Sequence, residues 1–308
     1  MTVNFRSVGR EVSNWGRWGP DDQLGTLNLV TPDHIRTAAA AVRSGTVFQL
    51  SIPVGKDGPQ TGLGGRQNPV HLMSMQHSDW DPAGMQIADD WVSMPLQSGT
   101  QWDALSHIAY DGLMYNGYSA DEVGARSGAR RLAVDAMTDH ITGRGVLLDI
   151  ARLRGVDWLP AGTAIGPDDL DAAERAQGVA VGTGDFLLVR TGWRAKFLAD
   201  GRDGWMSNEP GLSADCAPWL HDRAVAAVGS DNWAVEVLPA SGTSAAGVML
   251  PLHCILIRDM GMPLAEILDL EALAADCADD GQWSFLFVAP PLHISNAVGS
   301  PTTPVAVK

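Results

Sequence analysis

The 308-residue chain is poor in cysteine, with only Cys216, Cys254 and Cys277. Three is an odd number and none stands in a CxxC pair. Neither a disulfide framework nor a thiolate zinc site is expected, which points to a reducing cytoplasm. No apolar run reaches the roughly 18 residues of a membrane span. The opening stretch MTVNFRSVGREVSNWGRWG lacks the apolar segment of a signal peptide, so none is expected. Lys and Arg are scarce and unclustered, 21 against 36 Asp and Glu, for a net charge of −15. That excludes a basic nucleic-acid footprint, and acidity of this size favours solubility. There is no P-loop, no GxGxxG after a strand, no GxSxG elbow and no HExxH. Gly62–Gly65 is too short to cradle a phosphate.

What remains is an ordinary globular composition, 45% hydrophobic and 19% charged, with eleven tryptophans against three tyrosines. Trp15, Trp18, Trp80, Trp91 and Trp102 lie in loop-like sequence. They either pin loops to the core or line an aromatic pocket or subunit contact. Residues 1–30 read as an irregular N-terminal arm. Thr31 reads as the cap of a helix that runs from Pro32 to about Ser44. A strand over 46–54 follows, then a Gly- and Pro-rich tract over 55–95 with no element of its own, as in loops that cover sites. His71 and His77 fall in this tract and read as solvated. Beyond it, short helices are expected over 131–141 and 212–220, a helix over 167–177 and another over 264–278. Buried strands are expected over 145–150, 185–190, 224–229 and 284–289. Strands alternating with helices indicate a single α/β domain over 1–308, with a sheet covered on both faces.

The densest chemistry lies in LQSGTQWDALSH. Gln97, Gln101, Asp103 and His107 are spaced four, two and four apart, so an extended or looped segment points them to one side. A carboxylate beside an imidazole can orient it and raise its basicity, making a general base. The plainer alternative is a surface Asp with a structurally bonded His. His253, in LPLHCI, reads either as a core histidine or as facing a site across Pro251. Glu266 reads as lying near a helix start, where stabilising the helix dipole would suffice to explain it. Asp231, in SDNWAVE directly after AVAAVG, is at a strand end where ligands bind in α/β sheets, or simply builds a turn.

Taken together, WGRWGPDDQLGTLNLVTP, SGTQWDALSH with YDGLMYNG, RGVLLDI, GDFLLVRTGW, AVGSDNWAVE, LPLH and GSPTTPVAV resemble the cyclase-like metal-dependent hydrolase family. That family includes bacterial kynurenine formamidase and isatin hydrolase. The resemblance covers almost the whole chain and implies a mixed sheet flanked by helices. The family signature is His-x3-His-x-Asp-x3-His, whose first three members bind zinc or manganese and whose last assists water attack. Carried onto this chain, the resemblance implies Gln97, Gln101 and Asp103 as metal positions and His107 as the base. His253 and Glu266 would be the later pair of the site.

Both signature histidine ligands are therefore glutamines here, and an amide oxygen is a weaker, harder ligand than imidazole. The expectation is a hydrolase of a cyclic amide, lactone or small amide. It would use Mn2+ or Zn2+, stack its substrate on Trp102 and Trp80, and contact it through Asp231. A metal-free Asp103/His107 acid–base enzyme and a non-catalytic small-molecule binder stay open. A small-molecule substrate and a homo-oligomer are the expected partners, with no nucleic acid and no membrane.

Overall fold

The protein is described by a computed structural model over residues 4–79, 81–240 and 248–308. The N-terminal arm is not irregular throughout. Asn4 caps a helix α1 (Phe5–Glu11), accepting from Arg6 N. Thr31 caps α2 (Pro32–Ala40) in a reciprocal box with His34, and this helix ends before the expected Ser44. The strand expected over 46–54 is only β1 (Val47–Gln49).

The tract over 55–95 carries a hairpin, β2 (Val70–Met75) against β3 (Asp89–Ser93). Its strands were hidden because neither face is buried, so no apolar alternation marks them. Val70, Leu72, Trp91 and Val92 are exposed on it, as is His71, which pairs with Asp90 at 2.6 Å.

Then come β4 (Gln101–Asp103), β5 (Thr142–Asp149), α3 (Pro167–Gln177), β6 (Phe186–Arg190), α4 (Trp193–Asp200), α5 (Cys216–Asp222) and β7 (Ala227–Ser230). The chain closes with β8 (Leu264–Glu266), α6 (Glu271–Asp280), β9 (Ser284–Val288), β10 (Gly299–Pro301) and β11 (Val305–Val307). Nine strands form one mixed sheet in the order β1-β11-β9-β5-β6-β7-β8-β4-β10. Strands β5 to β8 are parallel and the rest antiparallel. The parallel strands bury both faces, which is why GVLLDI and DFLLVR read as unbroken apolar runs.

Alternate residues feed two cores. Val146, Leu148, Leu187 and Val189 face a layer with Leu170, Leu220 and Leu252. Leu147, Phe186 and Leu188 face another with Leu273, Cys277, Phe285 and Trp102.

Three helix expectations are corrected. Over 131–141 there is only a tight turn, Val134–Met137. Over 212–220 the helix starts later, at Cys216. Over 264–278 the first three residues are a strand, and the helix starts at Glu271. Leu264–Glu266 pairs with Asp103–Gln101, and Ile267 then takes a left-handed backbone (φ 57°) that no helix accommodates. Tertiary pairing overrides helical periodicity there.

Candidate active site

Strands β4 and β8 pair antiparallel, with Gln101 opposite Glu266 and Asp103 opposite Leu264. Cross-strand partners share a face. One face therefore carries Gln101, Asp103 and Glu266, and the other Trp102 and Ala265. On the far side of β4, Gly299 of β10 sits opposite Asp103. A Cβ at 299 would come within 2.5 Å of Gln97 Nε2, so glycine there leaves room for that side chain.

His253 arrives from the opposite layer, on the turn Pro251–His253 that continues as a π-helical turn to Met260. Glu236 positions it. The carboxylate accepts the backbone N–H groups of Leu252 (3.0 Å) and His253 (2.9 Å), and Nδ1 of the His253 ring at 2.6 Å. The ring's Nε2 then faces Glu266 Oε1 at 3.1 Å and Asp103 Oδ2 at 3.9 Å. Asp103, His253 and Glu266 are all buried, and their candidate ligand atoms lie within 4.8 Å of one another. His107 Nε2 stands 3.7 Å from Asp103 Oδ2 and is the open member, its side chain 18% exposed.

Burial opposes charge on His253, but the hydrogen bonds to Glu236 and Glu266 outweigh it and raise its pKa to about 10. Burial, reinforced by Asp103, pushes Glu266 upward. Burial lowers His107 against the pull of Asp103, and His253 and Arg66 lower it further. Glu209, fully buried, is raised well above the carboxylate range by burial while it accepts the N–H groups of Trp233 and Ala234.

The backbone beside the two glutamates is strained. Val235 (φ 59°) precedes Glu236 and Ile267 (φ 57°) follows Glu266. Left-handed β-branched residues cost on the order of 1–3 kcal/mol each and persist only where surroundings over-determine them. Asn232 supplies that hold. Its side-chain oxygen accepts Val235 N and its carbonyl accepts Ile267 N, both at 2.9 Å, while its amide donates to Pro210 O.

The site residues expected from sequence separate into groups. Asp103, His107, His253 and Glu266 come together. Gln101 joins them in a different role from the expected ligand oxygen. Its Nε2 donates to Glu266 Oε2 at 2.7 Å, since among carboxylates an amide must present its donor. Gln97 lies over Gly299 with its Nε2 buried and unpartnered, so it too turns a donor, not an oxygen, inward.

Trp102 is corrected: strand alternation sends its ring into the other core, where Nε1 donates to Ala289 O at 2.7 Å. Asp231 is corrected as well. It accepts Thr191 N, Thr191 Oγ1 and Gly192 N, which ties the end of β7 to the start of α4. Trp80 lies outside the described residues. Sequence reasoning misses Glu236, although it stands in the SDNWAVE stretch, because the first residues there carry the plainer turn signal.

The cyclase family model matches residues 48–237. The chain belongs to the cyclase family. A solved structure of a novel cyclase is 39% identical, covering 97% of this chain and 99% of that one, at a TM-score of 0.90. The fold is shared more distantly with isatin hydrolase A from Ralstonia solanacearum, at 19% identity, 88% and 93% coverage and a TM-score of 0.63. It is also shared with a predicted metal-dependent hydrolase from Bacillus stearothermophilus, at 18% identity, 85% and 97% coverage and a TM-score of 0.54. No curated protein sequence matches the chain. Among the described residues no helix is long and apolar enough to cross a membrane.

Proposed function

We propose that this cyclase-family chain is a hydrolase that opens a cyclic amide or lactone, or cleaves a small amide, with a divalent ion held by Asp103, His253 and Glu266. The observation that carries this reading is the orphaned chemistry of the cluster. Asp103 Oδ2 and Gln101 Oε1 are buried with no hydrogen-bond partner. Unpaired buried acceptors are costly, and a cation is what two carboxylates and an imidazole this close would accept. The hydrolase names of the fold relatives agree with it. Two oxygen donors and one nitrogen, without sulfur, suit manganese or zinc. When bound, such an ion supplies Lewis-acid polarisation of the scissile carbonyl and makes water more acidic.

The chain's own residues do the rest. His107 Nε2 takes the proton of the attacking water, and burial keeps that ring neutral and able to accept it. Asp103 Oδ2 stands 3.7 Å from that nitrogen without a hydrogen bond, and its charge favours the protonated ring that results. Glu236 fixes the His253 ring so that Nε2 faces the cluster, the usual arrangement of a carboxylate behind a ligating imidazole. The partner expected in this reading is a small molecule. Homo-oligomerisation through exposed apolar side chains such as Leu72 and Trp91 belongs to it too.

The test is turnover of a panel of cyclic amides, lactones and N-acyl compounds. Chelation should abolish activity and Mn2+ should restore it. Full activity after stripping would instead favour an Asp103/His107 acid–base enzyme without metal. The observation that favours this second reading is Gln101 Nε2, which already partners Glu266 within the cluster.

A further inference from the structure

The buried polar atoms without a hydrogen-bond partner include Asp103 Oδ2, Gln101 Oε1 and Gln97 Nε2 at the cluster, and Gln60 Oε1 and Trp233 Nε1 outside it. Trp233 is only 6% exposed, yet its Nε1 has no hydrogen-bond partner. Buried indoles normally find an acceptor. The Arg66 guanidinium lies over the same indole, 5.5 Å from the ring centroid, and makes no ion pair among the described residues. Trp233 follows Asn232, whose carbonyl accepts Ile267 N at the end of the Glu266 strand, so the indole and the guanidinium over it stand on the segment that borders the cluster.

Arg66 is not carried on a loose loop. Gln60 N donates to Asn68 Oδ1 and Asn68 Nδ2 donates to Gln60 O, which closes the base of the 60–68 loop. Gln60 Nε2 donates to Ser98 O at 3.0 Å, tying that base to the segment bearing Gln97 and Gln101. Within the loop, Arg66 N donates to Leu63 O and Gly62 N to Arg66 O.

We propose that Arg66 and Trp233 Nε1 form an anion subsite that binds a carboxylate of the substrate. The amide or lactone handled by the cluster would then carry a free carboxylate group. This rests on the hydrolase reading only for what else the substrate contains. A guanidinium and an indole N–H are both donors with no acceptor, and a carboxylate supplies acceptors for both. Of the neighbouring carboxylates, Glu236 is engaged by His253, Glu266 by Gln101 and His253, and Glu209 by two backbone N–H groups, while the free Asp103 Oδ2 belongs to the ion-holding centre.

The experiment is calorimetric titration with acetate, benzoate and 2-aminobenzoate against their neutral amides, acetamide, benzamide and 2-aminobenzamide. It is run on wild type, R66K and R66Q, with and without Mn2+. At least one carboxylate should bind the wild type about tenfold or more tightly than its amide, the size of a charge-assisted contact. The preference should shrink in R66K and vanish in R66Q. Two results overturn the subsite: no carboxylate preference in the wild type, or a preference kept in R66Q, as binding to the ion alone would give. If the preference is Arg66-dependent but no amide or lactone is hydrolysed, the subsite stands and the hydrolase reading falls. If an amide or lactone is hydrolysed but no carboxylate is preferred, the hydrolase reading stands and the subsite falls.

Discussion

Asp103 and Asp231 are both fully buried aspartates at or beside strand ends, yet their surroundings differ completely. Asp231 accepts three hydrogen bonds from Thr191 and Gly192, so both of its oxygens are matched by donors. Asp103 keeps Oδ2 without a hydrogen bond, flanked by imidazole nitrogens at 3.7 and 3.9 Å. Saturation marks a residue that holds the fold, and an unmatched oxygen marks one that waits for a ligand or a proton. Sequence alone makes both of them site candidates, and only their partners tell them apart.

Substitutions at the two positions should therefore have opposite signatures. Asp103→Asn should lower kcat/KM by at least about 100-fold, since it removes the charge that anchors the cluster and stabilises protonated His107. Without added metal its melting temperature should hold or rise, because a buried carboxylate with one oxygen unpartnered loses its charge. Asp231→Ala should do the reverse. Three donors lose their acceptor, costing about 3 kcal/mol in urea unfolding, while turnover of the folded protein falls less than tenfold. If Asp231→Ala were the more damaging to kcat/KM, the contrast would be broken.

A subtler difference appears in pH. Burial raises the Asp231 pKa to about 6 against the hydrogen bonds from Thr191. Its folded value lies above its unfolded value near 4. Between the two, the folded chain holds a proton that the unfolded chain has lost. Stability from this group is therefore full below about pH 4 and declines as pH rises through 6. Urea midpoints measured from pH 4 to 7 should show that decline, and Asp231→Asn should flatten part of it. Asp185, also raised to about 6 by burial, has the same sign and leaves a residual slope.

The smallest effect concerns the hairpin. Leu72→Asp should lower the mass seen by light scattering if exposed apolar side chains there hold copies together, with little change in melting temperature. An unchanged mass would remove the hairpin from any assembly.

The parallel centre of the sheet was legible because strands buried on both faces leave apolar runs that admit little else. The α2 start was legible because Thr31 and Pro32 state their roles locally. Strand β8 was not, since a three-residue strand is set by its partner β4 and not by its own sequence. The spacing of Gln101, Asp103 and His107 correctly foretold a shared neighbourhood, but period-two alternation should also have warned that Trp102 points away. Glu236 reaches His253 from a distant loop and Arg66 reaches Trp233 from another, and only the folded chain makes these pairs.

The most direct test of the central claim is equilibrium Mn2+ binding followed by electron paramagnetic resonance of the free ion, on wild type, Asp103→Asn and Glu266→Gln. Binding should be stoichiometric in the wild type, and both substitutions should weaken it by an order of magnitude or more. Equal binding by all three proteins, or none by the wild type, would contradict the assignment of Asp103, His253 and Glu266 as the ion-holding centre.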